Sequence, residues 1–112
     1  MSYSPERGDL IWLDFDPQSG REQGGRRPAL VLSPAQYNRR IGLCLVCPVT
    51  NQAKGYPFEV ALPEGAAATG VVLCDHAKSQ DWRARKSAFI GRVSDDVLEE
   101  VLERLQLLLP PL

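Results

Sequence analysis

Short apolar segments recur along the chain, separated by Gly, Pro and polar residues. They are rich in Val, Ile, Leu and aromatic residues, a composition typical of β-strands. Most of the intervening stretches lack a helical period, and this spacing favours a small antiparallel barrel over alternating strands and helices. We therefore predict a mainly β domain with strands at 9–15, 28–33, 42–49, 56–62, 70–75 and 87–93.

The C-terminal segment has a different pattern, in which apolar residues recur every three to four positions. This period predicts an amphipathic α-helix over about residues 94–109. Ser94 suits the N-cap position, and Pro110 and Pro111 end the helix. We expect its apolar stripe to cover one side of the barrel or to contact a partner subunit. The stripe comprises Val97, Leu98, Val101, Leu102, Leu105 and Leu108.

The chain has 112 residues, which predicts a single domain spanning 1–112. Its net charge is −1, yet eleven Lys and Arg residues against five acids lie between Arg21 and Arg92. A basic face can therefore coexist with an acidic total, and net charge does not exclude a nucleic-acid partner. The absence of a long apolar run or targeting signal predicts a cytoplasmic protein with no membrane partner.

Three cysteines, Cys44, Cys47 and Cys74, lie in apolar, strand-like surroundings. This context favours buried, reduced thiols over a disulfide framework. Cys44 and Cys47 suggest a metal or redox pair, but residues three apart on a strand point to opposite faces. The sequence contains no second Cys/His pair at a ligand spacing, so we predict neither a metal site nor a cofactor.

A loop rich in Gly and charge ends on two adjacent arginines, in the segment "DFDPQSGREQGGRRPALVLSP". Pro28 restricts Arg27 to extended geometry, which places its guanidinium at the mouth of the second strand. The glycines allow the loop to approach a bound ligand closely. On this pattern alone, a solvated patch in which Glu22 pairs with an arginine is the favoured interpretation.

Further polar residues follow two later strands, whose ends can converge in one cleft of a small antiparallel sheet. Such a set suits a phosphodiester flanked by splayed bases, since cations hold phosphate, amides and hydroxyls read base edges, and aromatic rings stack. The set comprises Thr50, Asn51, Gln52, Lys54, Tyr56, Asp75, His76, Lys78, Ser79 and Arg85.

These segments together resemble the MazF/PemK family of toxin endoribonucleases from bacterial type II toxin–antitoxin modules, and the MazF branch more than the PemK branch. The resemblance rests on "GDLIWLDFDPQSGREQGGRRPALVLSP", "YN", "CPVTNQAKGYPFEV" and "DHAKSQDWRAR", and covers the chain from Gly8 to the C-terminal helix. It implies an SH3-like barrel with a C-terminal helix, a homodimer, and sequence-specific, metal-independent cleavage of single-stranded RNA.

The resemblance also implies the chemistry and the partner. The products would be 2′,3′-cyclic phosphate and 5′-OH ends, and mRNA cleavage would inhibit translation and growth. A cognate MazE-like antitoxin would neutralise the toxin by inserting an acidic, disordered tail into the RNA groove, and DNA would be contacted only through that antitoxin.

Carried over residue by residue, the essential arginine of the family falls on Arg27, its threonine on Thr50 and its loop glutamate on Glu22. Arg27 and Thr50 would stabilise the charged phosphorane. Glu22 would serve as base or orient Arg27, with orientation favoured, and Arg26 would be ordinary loop charge. The expected RNA contacts are Ser19, Gln23, Asn51, Gln52, Lys54, Tyr56, Asp75, His76, Lys78, Ser79 and Arg85.

The chain departs from the PemK pattern, because Leu73 stands where PemK-like relatives have a functional arginine, although Asp75 is retained. The complete set of functional residues of PemK-like relatives therefore cannot be carried over to this chain. His76 is the only histidine, which excludes a two-histidine mechanism. It occupies a position where relatives often carry Gln, which favours base contact; the sequence leaves open whether it reads a base, moves a proton or lies in solvent.

Two other functions fit a small barrel of this kind. A CcdB-like toxin would poison DNA gyrase through its C-terminal residues, but the ending "LLLPPL" offers no Trp or polar aromatic anchor. A non-catalytic RNA- or peptide-binding module would bind RNA and leave every bond intact. An RNA cleavage assay distinguishes both from a ribonuclease.

Overall fold

Strands dominate the structure, which is a computed structural model describing residues 2–112. A 3₁₀ turn, Cys74–His76, separates two of the strands. The two helices are α1 (Ala35–Ile41) and α2 (Asp95–Gln106). The strands are β1 (Asp9–Asp14), β2 (Arg26–Val31), β3 (Leu43–Thr50), β4 (Glu59–Ala61), β5 (Val71–Leu73), β6 (Lys78–Asp81) and β7 (Ala88–Arg92).

All strand pairs are antiparallel, in the order β4-β5-β3-β2-β1-β7, and β6 pairs with β3 beside β5. Helix α2 follows the sheet. The prediction of a mainly β, barrel-like fold with a C-terminal helix is therefore confirmed. Within residues 2–112 no pairing joins β4 to β7, so the barrel-like sheet is not closed by hydrogen bonds.

The sheet is buried on both faces, as β3 illustrates. Cys47 and Val49 belong to the core under α2, whereas Cys44 and Val46 belong to a second core on the opposite face. All three cysteines are free and buried, as predicted. Burial raises the pKa of the Cys44 thiol to about 12 and that of Cys74 to about 11, so both stay neutral near pH 7.

Helix α2 begins as predicted, since the Ser94 side chain accepts a hydrogen bond from the Val97 amide at 3.3 Å. It ends earlier, at Gln106, and the prediction that Leu108 belongs to the apolar stripe is wrong, because 44% of this residue is exposed. The amides of residues 107–109 bond three residues back, which tightens the chain before Pro110. Neither α2 nor any other helix within residues 2–112 is long and apolar enough to cross a membrane.

Two elements were not predicted from the sequence. Helix α1 has no clear apolar period and is held instead by Asn38, whose buried side chain donates to the Pro5 and Ser33 carbonyls. The Trp82 indole donates to the Asn38 carbonyl at 2.9 Å, which ties α1 to the segment after β6. Strand β6 reads "KSQD", a polar sequence typical of a loop, and forms because it pairs with the buried β3.

Candidate active site

The loop between β1 and β2, residues 15–25, is named here the flap loop, and its base is held by hydrogen bonds. The Phe15 amide donates to the Gly25 carbonyl at 2.9 Å, and the Gly25 amide donates to Asp16 Oδ1 at 2.8 Å. Arg85 reaches across and donates to the Asp16 carbonyl at 2.8 Å. Gly25 has φ +76°, a conformation that favours glycine. The base of this loop is therefore fixed at the mouth of β2.

Arg27 and Thr50 lie side by side at the ends of adjacent strands. The antiparallel register of β2 and β3, continued by two residues, places Thr50 opposite Arg27 and on the same face of the sheet. Arg27 Nε donates to the Gly24 carbonyl at 2.8 Å, and Nη1 donates to the Val49 carbonyl at 3.4 Å. Two carbonyls thus fix the plane of the guanidinium beside the threonine.

Asp75 and His76 leave the sheet at a shift in strand register. Strands β5 and β6 pair with the same edge of β3, but the register shifts by three residues between them. The shift arises because three extra residues, the 3₁₀ turn Cys74–His76, lie between β5 and β6. Cys74 is buried in the core, whereas Asp75 is exposed and His76 partly exposed. The insertion therefore displays a carboxylate and an imidazole beside the strand end that carries Thr50.

Two adjoining cavities, of about 270 and 420 Å³, occupy the space between the flap loop, the 3₁₀ turn and the segment before β4. Both are lined by Arg21, Gln23, Asp75 and His76, so they form one continuous cleft, named here the groove. The other lining residues are Phe15, Glu22, Pro48, Thr50, Gln52, Lys54, Tyr56, Glu59, Leu73, Ala77 and Lys78.

Tyr56, Asp75 and His76 form a row along one wall of the groove. The Tyr56 hydroxyl donates to Asp75 Oδ1 at 2.7 Å, and His76 Nε2 lies 4.0 Å from the same oxygen. Burial raises the pKa of Tyr56, and the hydrogen bond to the Asp75 carboxylate raises it further. The phenol is therefore a permanent donor that holds the carboxylate in place.

Glu22 contacts Lys78 across the first cavity, with 3.3 Å between Oε2 and Nζ. The Arg27 guanidinium is held by main-chain carbonyls, as described above, and not by Glu22. The favoured expectation, that Glu22 orients Arg27, is therefore not supported by this geometry. The flap loop carries Glu22 towards β6, and Lys78 holds the carboxylate at the groove wall.

The family of this chain follows from comparison with known proteins. The model of the PemK-like, MazF-like toxins of type II toxin–antitoxin systems matches residues 6–109. This chain belongs to that family. Endoribonuclease toxin MazF of Escherichia coli is 50% identical over 107 residues, 96% of each chain.

Solved structures show the same relationship to MazF proteins. A crystal structure of MazF from Deinococcus radiodurans matches with a TM-score of 0.94 and 56% identity, over 96% of this chain and 98% of that one. A MazE–MazF crystal structure from the same organism matches with a TM-score of 0.86 and 52% identity, over 96% and 97% of the two chains. The predicted resemblance to the MazF branch is confirmed.

Two arginines of this MazF-like chain have structural contacts outside the groove lining. Arg85, a predicted RNA contact, donates to the carbonyls of Asp14 and Asp16 at 3.0 and 2.8 Å. Arg26 was expected to be ordinary loop charge, but it pairs with the Asp14 carboxylate at 3.1 Å and donates to the Lys86 carbonyl at 2.8 Å. Both side chains stabilise the base of the flap loop.

Three more predicted RNA contacts lie outside the groove lining. Ser19 is exposed in the flap loop, and Ser79 is exposed on β6. Asn51 follows Thr50 but accepts a hydrogen bond from the Thr69 hydroxyl at 3.0 Å. The structure therefore gathers Gln23, Gln52, Lys54, Tyr56, Asp75, His76 and Lys78 in the groove together with Thr50 and Glu22.

Sequence reasoning missed six residues that line the groove, three of which, Phe15, Arg21 and Glu59, are aromatic or charged. Arg21 lines both cavities and Phe15 lines the first. Glu59 accepts the amides of Lys54 and Gly55, each at 2.8 Å, and so shapes the segment before β4. Of these, only Arg21 could have been identified from the sequence, because it is a cation in the Gly-rich loop. Within residues 2–112 no group of three or more His, Cys, Asp or Glu side chains could hold a metal ion.

Proposed function

We propose that this chain, an endoribonuclease of the MazF/PemK toxin family, cleaves single-stranded RNA at a short sequence without a metal ion. The strand register that sets Arg27 opposite Thr50 carries this proposal. Thr50 lines the groove, whereas Arg27 lines neither of its two cavities. The attacking group is the 2′-OH of the RNA itself, and the products are a 2′,3′-cyclic phosphate and a 5′-OH end. The protein supplies geometry, charge stabilisation and proton transfer.

Arg27 stabilises the phosphorane that forms during the attack. Its guanidinium stays charged at every relevant pH and is already fixed by two carbonyls, so little reorganisation is needed as negative charge develops. Thr50 donates its hydroxyl hydrogen to the same phosphate oxygens, while its Oγ1 accepts from the Gln52 amide at 3.1 Å. That hydrogen bond orients the hydroxyl group of Thr50, which lines the second cavity.

Glu22 takes the proton from the 2′-OH. A carboxylate is among the side chains that serve as general bases, and Glu22 Oε2 lies 3.3 Å from Lys78 Nζ at the groove wall. Both residues line the first cavity. RNA contacts come from the predicted residues that line the groove, and the aromatic ring of Tyr56 supplies a surface on which a base can stack.

A MazE-like antitoxin neutralises this activity in our proposal. The matched Deinococcus structures include complexes with MazE. An acidic, disordered tail would compete with RNA for Arg21, Lys54 and Lys78, which line the groove. We also expect a homodimer, which light scattering of the purified protein tests directly.

The decisive experiment is cleavage of a long single-stranded RNA in EDTA, with the new ends mapped and chemically typed. Arg27→Ala should lower kcat by about 10²- to 10³-fold, the usual loss when a preorganised donor is removed. Arg40→Ala is the control, because this arginine is exposed on α1 and lines neither cavity of the groove. It should retain cleavage.

The other outcomes assign a different function. RNA that is bound but left intact by the wild type would indicate a non-catalytic module. Equal cleavage by wild type and Arg27→Ala would contradict the assigned role of this arginine. Growth arrest with intact RNA and inhibited gyrase would indicate the CcdB-like alternative.

A further inference from the structure

We propose that the protonated His76 imidazole binds a phosphate of the RNA, with Asp75 as its charge partner, so that RNA affinity falls as pH rises. The proposal rests on the proposed function, because it assigns a role to a residue of the same groove. It makes His76 a pH-dependent phosphate contact, a role distinct from reading a base.

The position of His76 suits a phosphate contact. The imidazole lines both cavities, so it lies where a strand passing from one cavity to the other must go. Its side chain is 24% exposed, which leaves it accessible to protons and to substrate. Nε2 lies 4.0 Å from Asp75 Oδ1, and Tyr56 fixes that carboxylate through its 2.7 Å hydrogen bond.

The charges that line the groove are balanced when the imidazole is neutral. Three cations and three carboxylates line the two cavities, and one carboxylate, Glu22, already has Lys78 as partner. One proton on His76 therefore adds a positive charge to a lining that is otherwise balanced, in addition to the charge of Arg27 at the start of β2. The charged and titratable groups that share the groove with His76 are Arg21, Glu22, Lys54, Tyr56, Glu59, Asp75 and Lys78.

Histidine is the side chain whose ordinary titration falls between about pH 5 and pH 8. The ordinary titrations of lysine, arginine and aspartate fall outside this window, and RNA phosphodiesters keep their charge within it. A change in RNA affinity across this window that is absent in His76→Gln therefore reports on His76 and not on the N-terminal amino group.

The test measures binding of a single-stranded RNA with 2′-O-methyl sugars, which has no free 2′-OH and cannot be cleaved by the proposed route. Each phosphate contact by a cation releases counterions and steepens the plot of log affinity against log salt by about 0.7 for single strands. We expect the wild-type slope to be steeper by about 0.7 at about pH 5.5 than at about pH 8. The affinity should differ by about tenfold, the usual effect of one charge-assisted contact.

Two substitutions at His76 distinguish a charged phosphate contact from a neutral hydrogen bond. His76→Gln keeps a hydrogen-bond donor without a titrating charge, so its slope should be equal at the two pH values. His76→Lys carries a charge at both pH values, so its plot of log affinity against log salt should be steep at both. A pH-dependent slope that persists in His76→Gln, or a wild-type slope that does not change with pH, would overturn the proposal.

A direct titration is possible because the chain contains one histidine. In protein without a histidine tag, addition of the 2′-O-methyl RNA should move the titration of the single imidazole NMR signal to higher pH, because a bound phosphate stabilises the imidazolium. An unchanged titration would contradict the phosphate contact. If the wild type binds the 2′-O-methyl RNA with a pH-dependent slope but leaves unmodified RNA intact in EDTA, the proposed function fails while this inference stands. If it cleaves RNA and shows a pH-independent slope, only this inference fails.

Discussion

Gly70 packs directly against the backbone of Thr50. A Cβ atom at Gly70 would lie 2.4 Å from the Thr50 carbonyl oxygen, and Gly70 has φ +115°, which other residues rarely adopt. Gly70 precedes β5, which pairs with the end of β3. The position of Thr50 at the groove therefore depends on the absence of a side chain on the neighbouring strand.

We expect Gly70→Ala to displace Thr50 and to lower both stability and cleavage. Backbone strain at such a position costs about 1–3 kcal/mol, and the clash with the carbonyl adds to it. Displacement of a catalytic group by about 1 Å lowers kcat by up to about 10²-fold. Urea unfolding and single-turnover cleavage of RNA give the two measurements.

Gly65→Ala is the matched control for this change. Gly65 also has a positive φ, +86°, but no atom lies within 4 Å of a Cβ built there. Gly65→Ala should therefore lose stability through backbone strain but cleave RNA at the wild-type rate. Equal loss of cleavage in both variants would mean that Gly70 acts only through general stability.

Glu22→Gln tests whether this residue is the base or only the partner of Lys78. Loss of a general base lowers kcat by about 10²- to 10⁴-fold, whereas loss of an exposed ion pair costs about 0–1 kcal/mol. We expect kcat to fall by about 10²-fold with KM almost unchanged, because the amide keeps the shape of the carboxylate. Steady-state cleavage of a short RNA measures both constants.

A glutamate far from the groove provides the control. Glu99 is exposed on α2, and Glu99→Gln should cleave RNA at the wild-type rate. A loss of less than threefold in Glu22→Gln would assign it to the ion pair with Lys78, since that loss is within the range of a surface salt bridge.

Arg104 connects α2 to the segment that carries Tyr56. Its Nε donates to the Pro57 carbonyl at 2.7 Å, and its Nη2 contacts Glu100 at 3.2 Å. Arg104→Gln should loosen this segment and raise KM for RNA by about tenfold, the usual effect of one hydrogen bond from a charged group, with little effect on kcat.

Glu100→Gln removes the partner on the helix and leaves the contact to Pro57 intact. This control should keep the wild-type KM. If kcat falls in Arg104→Gln as much as KM rises, the residue acts through overall folding, and the proposed effect on the RNA-binding segment would be wrong.

The buried thiols predict a loss of stability in alkali. Their ordinary pKa is about 9, and burial raises the folded-state pKa of all three, to about 12 for Cys44. Above about pH 9 the thiols lose protons in the unfolded state but keep them in the folded state. Rising pH therefore stabilises the unfolded state relative to the folded state. Stability that is full below about pH 9 should fall by about 1.4 kcal/mol per pH unit for each thiol.

Cys44→Ala isolates one of these contributions. It should lower the free energy of unfolding near neutral pH by about 1 kcal/mol through the small cavity it leaves. It should also reduce the slope between about pH 9 and pH 10 by up to about 1.4 kcal/mol per unit. Urea unfolding at several pH values measures both quantities. An unchanged slope would show that the Cys44 thiol ionises as freely in the folded state as in the unfolded state.

Sequence reasoning succeeded where local patterns carry the information. Alternation along β3 predicted that Cys44 and Cys47 face opposite sides, and Ser94 was identified as the cap of α2 because capping is local. In these cases the determining contacts are short-range or repeated along an element. The assignment of Arg27 and Thr50 to one site stays a prediction, which the strand register permits.

It failed where distant contacts decide the structure. Strand β6 is polar and forms only because β3 offers a free edge to pair with. Glu22 pairs with Lys78, 56 residues away, a partner that no spacing in the sequence indicates. The loss of the last predicted turn of α2 depends on how the chain approaches Pro110.

Because the register shifts by three residues between β5 and β6, the residues that shape the groove at this turn are not the ones that pair in the sheet. Both strands keep their own pairing with β3 on either side of the turn Cys74–His76. Exposed residues of this turn can therefore change over evolution while the hydrogen-bonded ladder stays intact. Substitutions at Asp75 and His76 can therefore change the charge of the groove wall without unpairing either strand from β3.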